Sequence, residues 1–149
     1  IVEVIAQETA THASVTPIDN LYDEMLSNAE LATLYSDHAR SEGMDPHAGP
    51  GQVIGSLDMG TVSHLVPSLH PMFRLGDGSI SSHTAEFTQL CASAGSFDAA
   101  MRAATALALT GLAVLSDRAV LERVRRAHLD AAGKFSRAAV PLVTEQVEG

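Results

Sequence analysis

The sequence predicts an α/β fold that closes with several helices, and three features of the 149-residue chain point there. Residues 1–16 are rich in β-branched and apolar types with polar interruptions, the pattern of a strand or a strand pair. Residues 28–42 place Leu31, Leu34, Tyr35 and His38 at helical spacing. From Ser96 onward the text is Ala- and Leu-rich, and residues that start helices recur. A hydrophobic content of 46% against 18% charged residues fits a globular chain, and the length suits one domain.

Taken in order, the opening IVEVIAQETATH has no basic n-region and no small-residue cleavage site, so it does not read as a signal peptide. It reads as a strand entering mid-fold, and the chain is expected to be part of something longer. Pro17, Asp19 and Asn20 mark a turn. Ser27 and Glu30 have capping-box spacing, in which the hydroxyl accepts from the N3 amide and the glutamate reaches back. They open the 28–42 helix, and Gly43 is its C′ residue. His38 lies on the apolar stripe and is expected as a packed side chain. The run DPHAGPG over 45–51 is loop and carries a solvated His47.

Residues 52–82 alternate short apolar runs with Gly, Ser, Asp and His. Val53 and Ile54 suggest one short strand; Met72, Phe73 and Leu75 suggest another. Between them the GSLDMG turn brackets an acid with two glycines, as loops at sites often do. Thr84 caps a helix over 85–94, with Glu86 suited to the dipole in its first turn and Gly95 at its end. Ser96 caps a helix over 97–115. That helix is apolar on nearly every side, which places it between layers. Asp117 starts another, with Val120, Leu121, Val124 and His128 on one stripe. A final helix runs from Lys134 and is interrupted at Pro141.

The bulk numbers exclude some functions. With 18 acids against 9 bases the net charge is −9, which lacks the basic footprint that nucleic acid requires. Six of the nine bases fall between Arg118 and Arg137, as on the solvated face of a helix; a docking site for an anionic partner is the other reading. The longest apolar run, 103–115, is shorter than the ~20 residues of a membrane span and is diluted by Thr105, Thr110 and Gly111. The one cysteine, Cys91, forbids an intrachain disulfide and fits a reducing cytoplasm. It sits in QLCASA, where a buried structural thiol is expected. HExxH, CxxC, the serine-hydrolase elbow and the phosphate loop do not occur.

Chemistry-bearing candidates are few. Of the seven histidines, His47, His64, His70 and His83 lie in the loop-rich stretch, and neutral imidazole is the commonest transition-metal ligand. His83 follows Ser81 and Ser82 and directly precedes a helix, a rigid element that suits a ligand. A histidine that only caps or packs is the equal alternative. Asp58 is the only acid between Asp45 and Asp77. Capping backbone amides is its more ordinary use; contact with a cation or a polar substrate group is the other.

Gly55, Ser56, Asp58, Gly60, Val62, Ser63, Val66, Pro67, His83 and Thr84 then occur in order, within GSLDMGTVSHLVPSLHPMF and SSHTAEF and ahead of AATALALTGLAVL. On these residues, roughly 20–116 resembles the C-terminal part of the M20 family of metallopeptidases and amidohydrolases. The nearest branch is the aminobenzoyl-glutamate hydrolase and aminoacylase-like group. The resemblance implies a catalytic α/β domain interrupted by a smaller lid domain, which often mediates dimerisation. Residues 1–20 would end the lid with its last strand and the return crossing, and 21–149 would be the C-terminal segment of the catalytic domain.

The family's site holds two divalent metal ions, zinc or manganese, bridged by water, with a glutamate as general base. Such metals lower the pKa of bound water toward ~7 and polarise the scissile carbonyl. His83 matches the family's final metal-binding histidine. Gly55, Ser56 and Asp58 match a substrate-proximal loop. The upstream ligands and the glutamate have no counterpart here, so no catalytic residue is assigned. A zinc site generally needs three or four protein ligands; one histidine falls short, and the chain alone is not expected to hydrolyse amides. The implied substrates are N-acyl amino acids, dipeptides or aminobenzoyl-glutamate-like amides. The implied partner is a missing N-terminal segment or companion chain, in a homo-oligomeric, cytoplasmic protein that binds neither nucleic acid nor membrane. Two other readings compete. A non-catalytic subunit packed on a companion amidohydrolase would bear an apolar patch beyond a few hundred Å². An unrelated small α/β binding module would have a self-contained fold.

Overall fold

The structure is a computed structural model, and it describes residues 1–16, 18, 22–46 and 57–133. Its elements are α1 (Val2–Glu8), α2 (Ala29–Ser41), α3 (Met59–Ser63), α4 (Ala85–Cys91), α5 (Ala94–Ser116) and α6 (Arg118–Ala132). Among the described residues there is no strand, only an isolated parallel bridge between Ser27 and Ser68. The architecture is helical: α2 packs along α5, α6 packs against both, and α4 leans on α5.

The strand expected over 1–16, as the last lid strand, is instead helix α1. A strand must find ladder partners for its backbone groups, and the described residues offer none. Glu3, Ala6, Gln7 and Glu8 tolerate a helix well, so the β-branched types do not decide the outcome. Just past the Thr9 cap, Ala10 takes a left-handed φ of 52°. There the Thr11 N–H donates to the Ala6 carbonyl at 2.9 Å and the Ala10 N–H to the Gln7 carbonyl at 3.3 Å. Nor do Met72, Phe73 and Leu75 form a strand. The chain passes them unpaired into a turn at 76–79, where Gly76 and Gly78 take φ of 58° and 82°. In that turn the Ser79 hydroxyl and N–H both donate to Asp77 Oδ1, at 2.6 and 2.9 Å. Those two bonds hold the exposed Asp77 carboxyl below the usual carboxylate range. The turn at Pro17, Asp19 and Asn20, the 47–51 part of the loop with His47, the strand at Val53 and Ile54, and the helix from Lys134 lie outside the described residues.

Helix α2 matches the expected 28–42 closely, but its cap lies one residue later than Ser27. Asn28 Oδ1 accepts the Leu31 N–H at 3.1 Å. Asparagine caps as well as serine does, and Asn28 has two further uses. Its Nδ2 donates to the Val124 carbonyl of α6 at 2.9 Å, and its own N–H donates to the Ser68 carbonyl at 2.9 Å. The side chain is 2% exposed and ties three parts of the chain together. Glu30 pairs with Arg123 on α6 at 3.1 Å instead of closing a capping box. At the other end Gly43 takes φ of 74°, and the Met44 and Gly43 amides bond back to Ala39 and Arg40. This is the Schellman arrangement, and it folds Met44 onto the core.

That core is Tyr35, Ala39 and Ala106, flanked by Met44 and Leu69. The alanines let α2 and α5 approach closely. Buried Val120, Val124 and His128 bring the expected stripe of α6 inward, with Leu121 half-buried beside them. Asp117 caps α6 as expected, accepting the Ala119 N–H at 2.8 Å.

Thr84 caps α4, accepting the Phe87 N–H at 3.1 Å, but the helix stops at Cys91, three residues before the expected end. The reason is Ser93, which takes over as the next cap by accepting the Ser96 N–H at 3.2 Å. Ser96, the expected cap, is buried and donates its hydroxyl to the Leu90 carbonyl at 2.7 Å. Cys91 is exposed, not buried. Helix α5 departs most from expectation: only Ser96, Ala103, Ala106 and Thr110 are buried, so it is covered on one side. At 23 residues it is long and apolar enough to cross a membrane by length and composition, a test that soluble core helices also pass.

Candidate functional site

Two segments carry the residues singled out from the sequence, and they are built very differently. In the first, residues 57–68 grip the extended segment 22–28. Gly60 lies so close to that segment that a Cβ there would meet the Asp23 carbonyl oxygen at 1.8 Å. No side chain fits. Ser63, 0% exposed, accepts the Leu26 N–H at 2.8 Å and donates to the Gly60 carbonyl at 2.5 Å. Thr61 Oγ1 accepts the Asp23 N–H at 3.4 Å, and His64 Nε2 sits 3.0 Å from the Glu24 carbonyl oxygen. Four residues within five positions therefore hold one passing strand of backbone. Backbone groups buried without such partners would be costly.

Asp58 stands just outside this grip. It occupies the N-cap position of α3, yet its backbone is α-helical and its side chain caps nothing. The carboxylate is exposed, so the amide-capping use expected of it is not seen. Gly55 and Ser56, the other two residues of the expected substrate-proximal loop, lie outside the described residues.

The second segment holds His83. Its φ of 65° is left-handed, a conformation uncommon for a residue with a Cβ, and its side chain is exposed. Thr84 follows at once as the cap of α4, and its hydroxyl also donates to the Ser81 carbonyl at 2.9 Å. The imidazole is thus exposed, with a helix starting immediately after Thr84.

Among the described residues, no group of three His, Cys, Asp or Glu side chains is gathered as a metal would need. His64 is committed to the 22–28 segment, His128 is buried against the helices, and His70 is exposed. A two-metal centre does not fit these residues by themselves, and no chemical step through metal is derived from them. The basic residues of α6 make no anion site either. Arg123 pairs with Glu30, Arg125 lies 3.9 Å from Glu122, and the shallow groove beside them is lined by Glu122 and Asp130 as well as Arg126. This is a mixed, solvated face.

Sequence reasoning missed Asn28 as the junction of α2 and α6, and it read Gly60 and Ser63 only as members of a pattern. The Gly-x-x-Ser spacing held a usable signal. In a helical turn it puts the serine hydroxyl back on the glycine carbonyl, where it can also take an amide from a neighbouring segment.

No protein-family model matches the chain. It is similar to the Xaa-Arg dipeptidase of Mus musculus, 33% identical over 111 residues that cover 70% of this chain and 25% of the dipeptidase. It is likewise similar to the Xaa-Arg dipeptidase of Homo sapiens, 33% identical over 110 residues covering 70% of this chain and 24% of that protein. The chain spans about a quarter of the length of the curated relatives it matches. These similarities support a peptidase- or amidohydrolase-like relationship.

Proposed function

We propose that this chain is the C-terminal portion of an M20-type, two-metal hydrolase that cleaves the amide bonds of dipeptides, N-acyl amino acids or aminobenzoyl-glutamate-like substrates. The single observation that carries the reading is the match to the two dipeptidases at 33% identity. On this reading the protein has a catalytic α/β domain interrupted by a lid domain, and residues 21–149 belong to the catalytic domain. The helical bundle would be the closing helices of that domain, with the sheet supplied by other polypeptide.

His83 would contribute one metal ligand, presented by the left-handed turn before α4. Asp58, exposed at the edge of the 57–68 segment, would lie near substrate together with Gly55 and Ser56. The remaining ligands and the general base would come from polypeptide that this chain does not match. The full protein would be a cytoplasmic homo-oligomer with zinc or manganese. A dipeptide ending in arginine is the first substrate to try, because both relatives are Xaa-Arg dipeptidases by name.

Native mass spectrometry, with metal content read from the same sample, tests this. The chain together with the part of the mouse dipeptidase outside the match should carry about two divalent ions and hydrolyse a dipeptide. A mixture that binds no metal would refute the reading. The competing reading, a non-catalytic subunit that packs on an amidohydrolase, is motivated by the lack of a metal-binding cluster among the described residues. It predicts an assembled complex whose activity is unchanged when His83 is replaced.

A further inference from the structure

Helix α5 has two apolar faces and covers only one. Ala103, Ala106 and Thr110 face the bundle and are buried. At 100° per residue the opposite side carries Phe97, Met101, Leu112 and Leu115, which are 64%, 50%, 59% and 88% exposed. Between these two large pairs the same stripe holds only Ala104, Ala108 and Gly111, all exposed. Outside the helix's own neighbouring backbone, no atom of the described residues lies within 4 Å of where a Gly111 Cβ would stand. The stripe runs from 97 to 115, so at ~1.5 Å per residue it is about 27 Å long. It contains no charged residue, since Asp98 and Arg102 lie to one side of it. An uncharged strip of this length is not ordinary surface scatter.

We propose that this face of α5 is an internal interface, covered by a layer of polypeptide corresponding to the three quarters of the dipeptidase length that the chain does not span. The inference rests on the reading of the chain as a portion of such a hydrolase, and it assigns the contact surface. Two observations favour polypeptide over lipid. Small residues at the centre with large ones at both ends form a shallow saddle, which suits a packed layer better than fluid chains. The far side of α5 is occupied by α2 and α6, whose outer surfaces carry Asp37, Arg40, Glu122 and Arg125. A bilayer around α5 would have to bury those charges.

The test uses Ala108→Cys in a Cys91→Ser background, with and without the co-expressed remainder of the mouse Xaa-Arg dipeptidase. Thiol labelling at position 108 should slow at least tenfold in the complex. Leu115→Glu should abolish co-purification, while Leu129→Glu, at a site 69% exposed on α6, should leave it intact. Unchanged labelling, or no co-purification of the parent chain, overturns the proposal. So does a disulfide joining position 108 of two copies, or α5-dependent binding to phosphatidylcholine vesicles. Dipeptide hydrolysis in the same mixture separates the two claims. Hydrolysis with position 108 freely labelled keeps the enzyme reading and removes the interface. Protection without hydrolysis does the reverse.

Discussion

The 57–68 segment and the turn before α4 both carry residues of one family-like pattern, yet the fold treats them in opposite ways. Gly60, Ser63 and His64 are consumed by the chain's own backbone. His83 and Asp58 are exposed. A shared pattern therefore mixes two kinds of residue: those that build a scaffold and those that stay exposed. The practical lesson is that burial and bonding, not membership of the pattern, separate them.

The largest effect that sharpens this contrast is at Gly60. Gly60→Ala drives a methyl group into the Asp23 carbonyl, and backbone cannot step aside as a flexible side chain can. Unfolding by denaturant should show a loss of about 3 kcal/mol or more. A loss below 1 kcal/mol would mean that 22–26 does not pass over Gly60 in solution. Next in size is Asn28→Ala, which removes the α2 cap and leaves the Val124 carbonyl without its buried donor. About 2–4 kcal/mol should be lost, combining a cap with a buried hydrogen bond. Asn28→Asp should restore the cap but not the bond to α6.

Tyr35 predicts a change of the opposite sign. Its hydroxyl is buried with no hydrogen-bond partner among the described residues, and burial raises its pKa above the ordinary tyrosine value. Tyr35→Phe should therefore stabilise the bundle, by about 1 kcal/mol. The raised folded value means that the protonated form is the one the fold favours. The contribution is present in full below the unfolded value of about 10 and is lost as pH rises through the folded value. Alkaline melts should show the parent chain weakening above that range and Tyr35→Phe sparing that part of the loss. Smallest of all is His83→Gly. Glycine accepts a φ of 65° without strain, so the folded chain should keep its stability or gain up to about 1 kcal/mol. A marked loss in a thermal melt would show that His83 is structural and that the contrast is false.

Much of the helical part was legible in the residues. The spacing of Leu31, Leu34 and Tyr35 located α2, Gly43 its end, Asp117 the start of α6, and Thr84 the start of α4, because these features are local. The opening segment was misread because Val2, Val4 and Ile5 favour a strand only where another strand exists to pair with them. The long Ala- and Leu-rich stretch was rightly read as a helix, but the burial expected on nearly every side is not found. Periodicity could not say that the bundle covers just one of those sides. Ser96 lost its capping role to Ser93 because two serines three residues apart compete for one helix start, and only the fold buries one of them. For the candidate site, the pattern pointed to Asp58 and His83, but exposure and backbone conformation are products of the fold. Neither can be read from spacing.

The proposal for the site is that His83 serves a metal and does not stabilise the fold. It is tested most directly by titrating zinc into the complex of the chain with the remainder of the mouse dipeptidase, parent against His83→Ala, with thermal melts of both. The account predicts unchanged melting and a loss of at least tenfold in metal affinity or of one bound ion. Equal zinc uptake by the two proteins would contradict it.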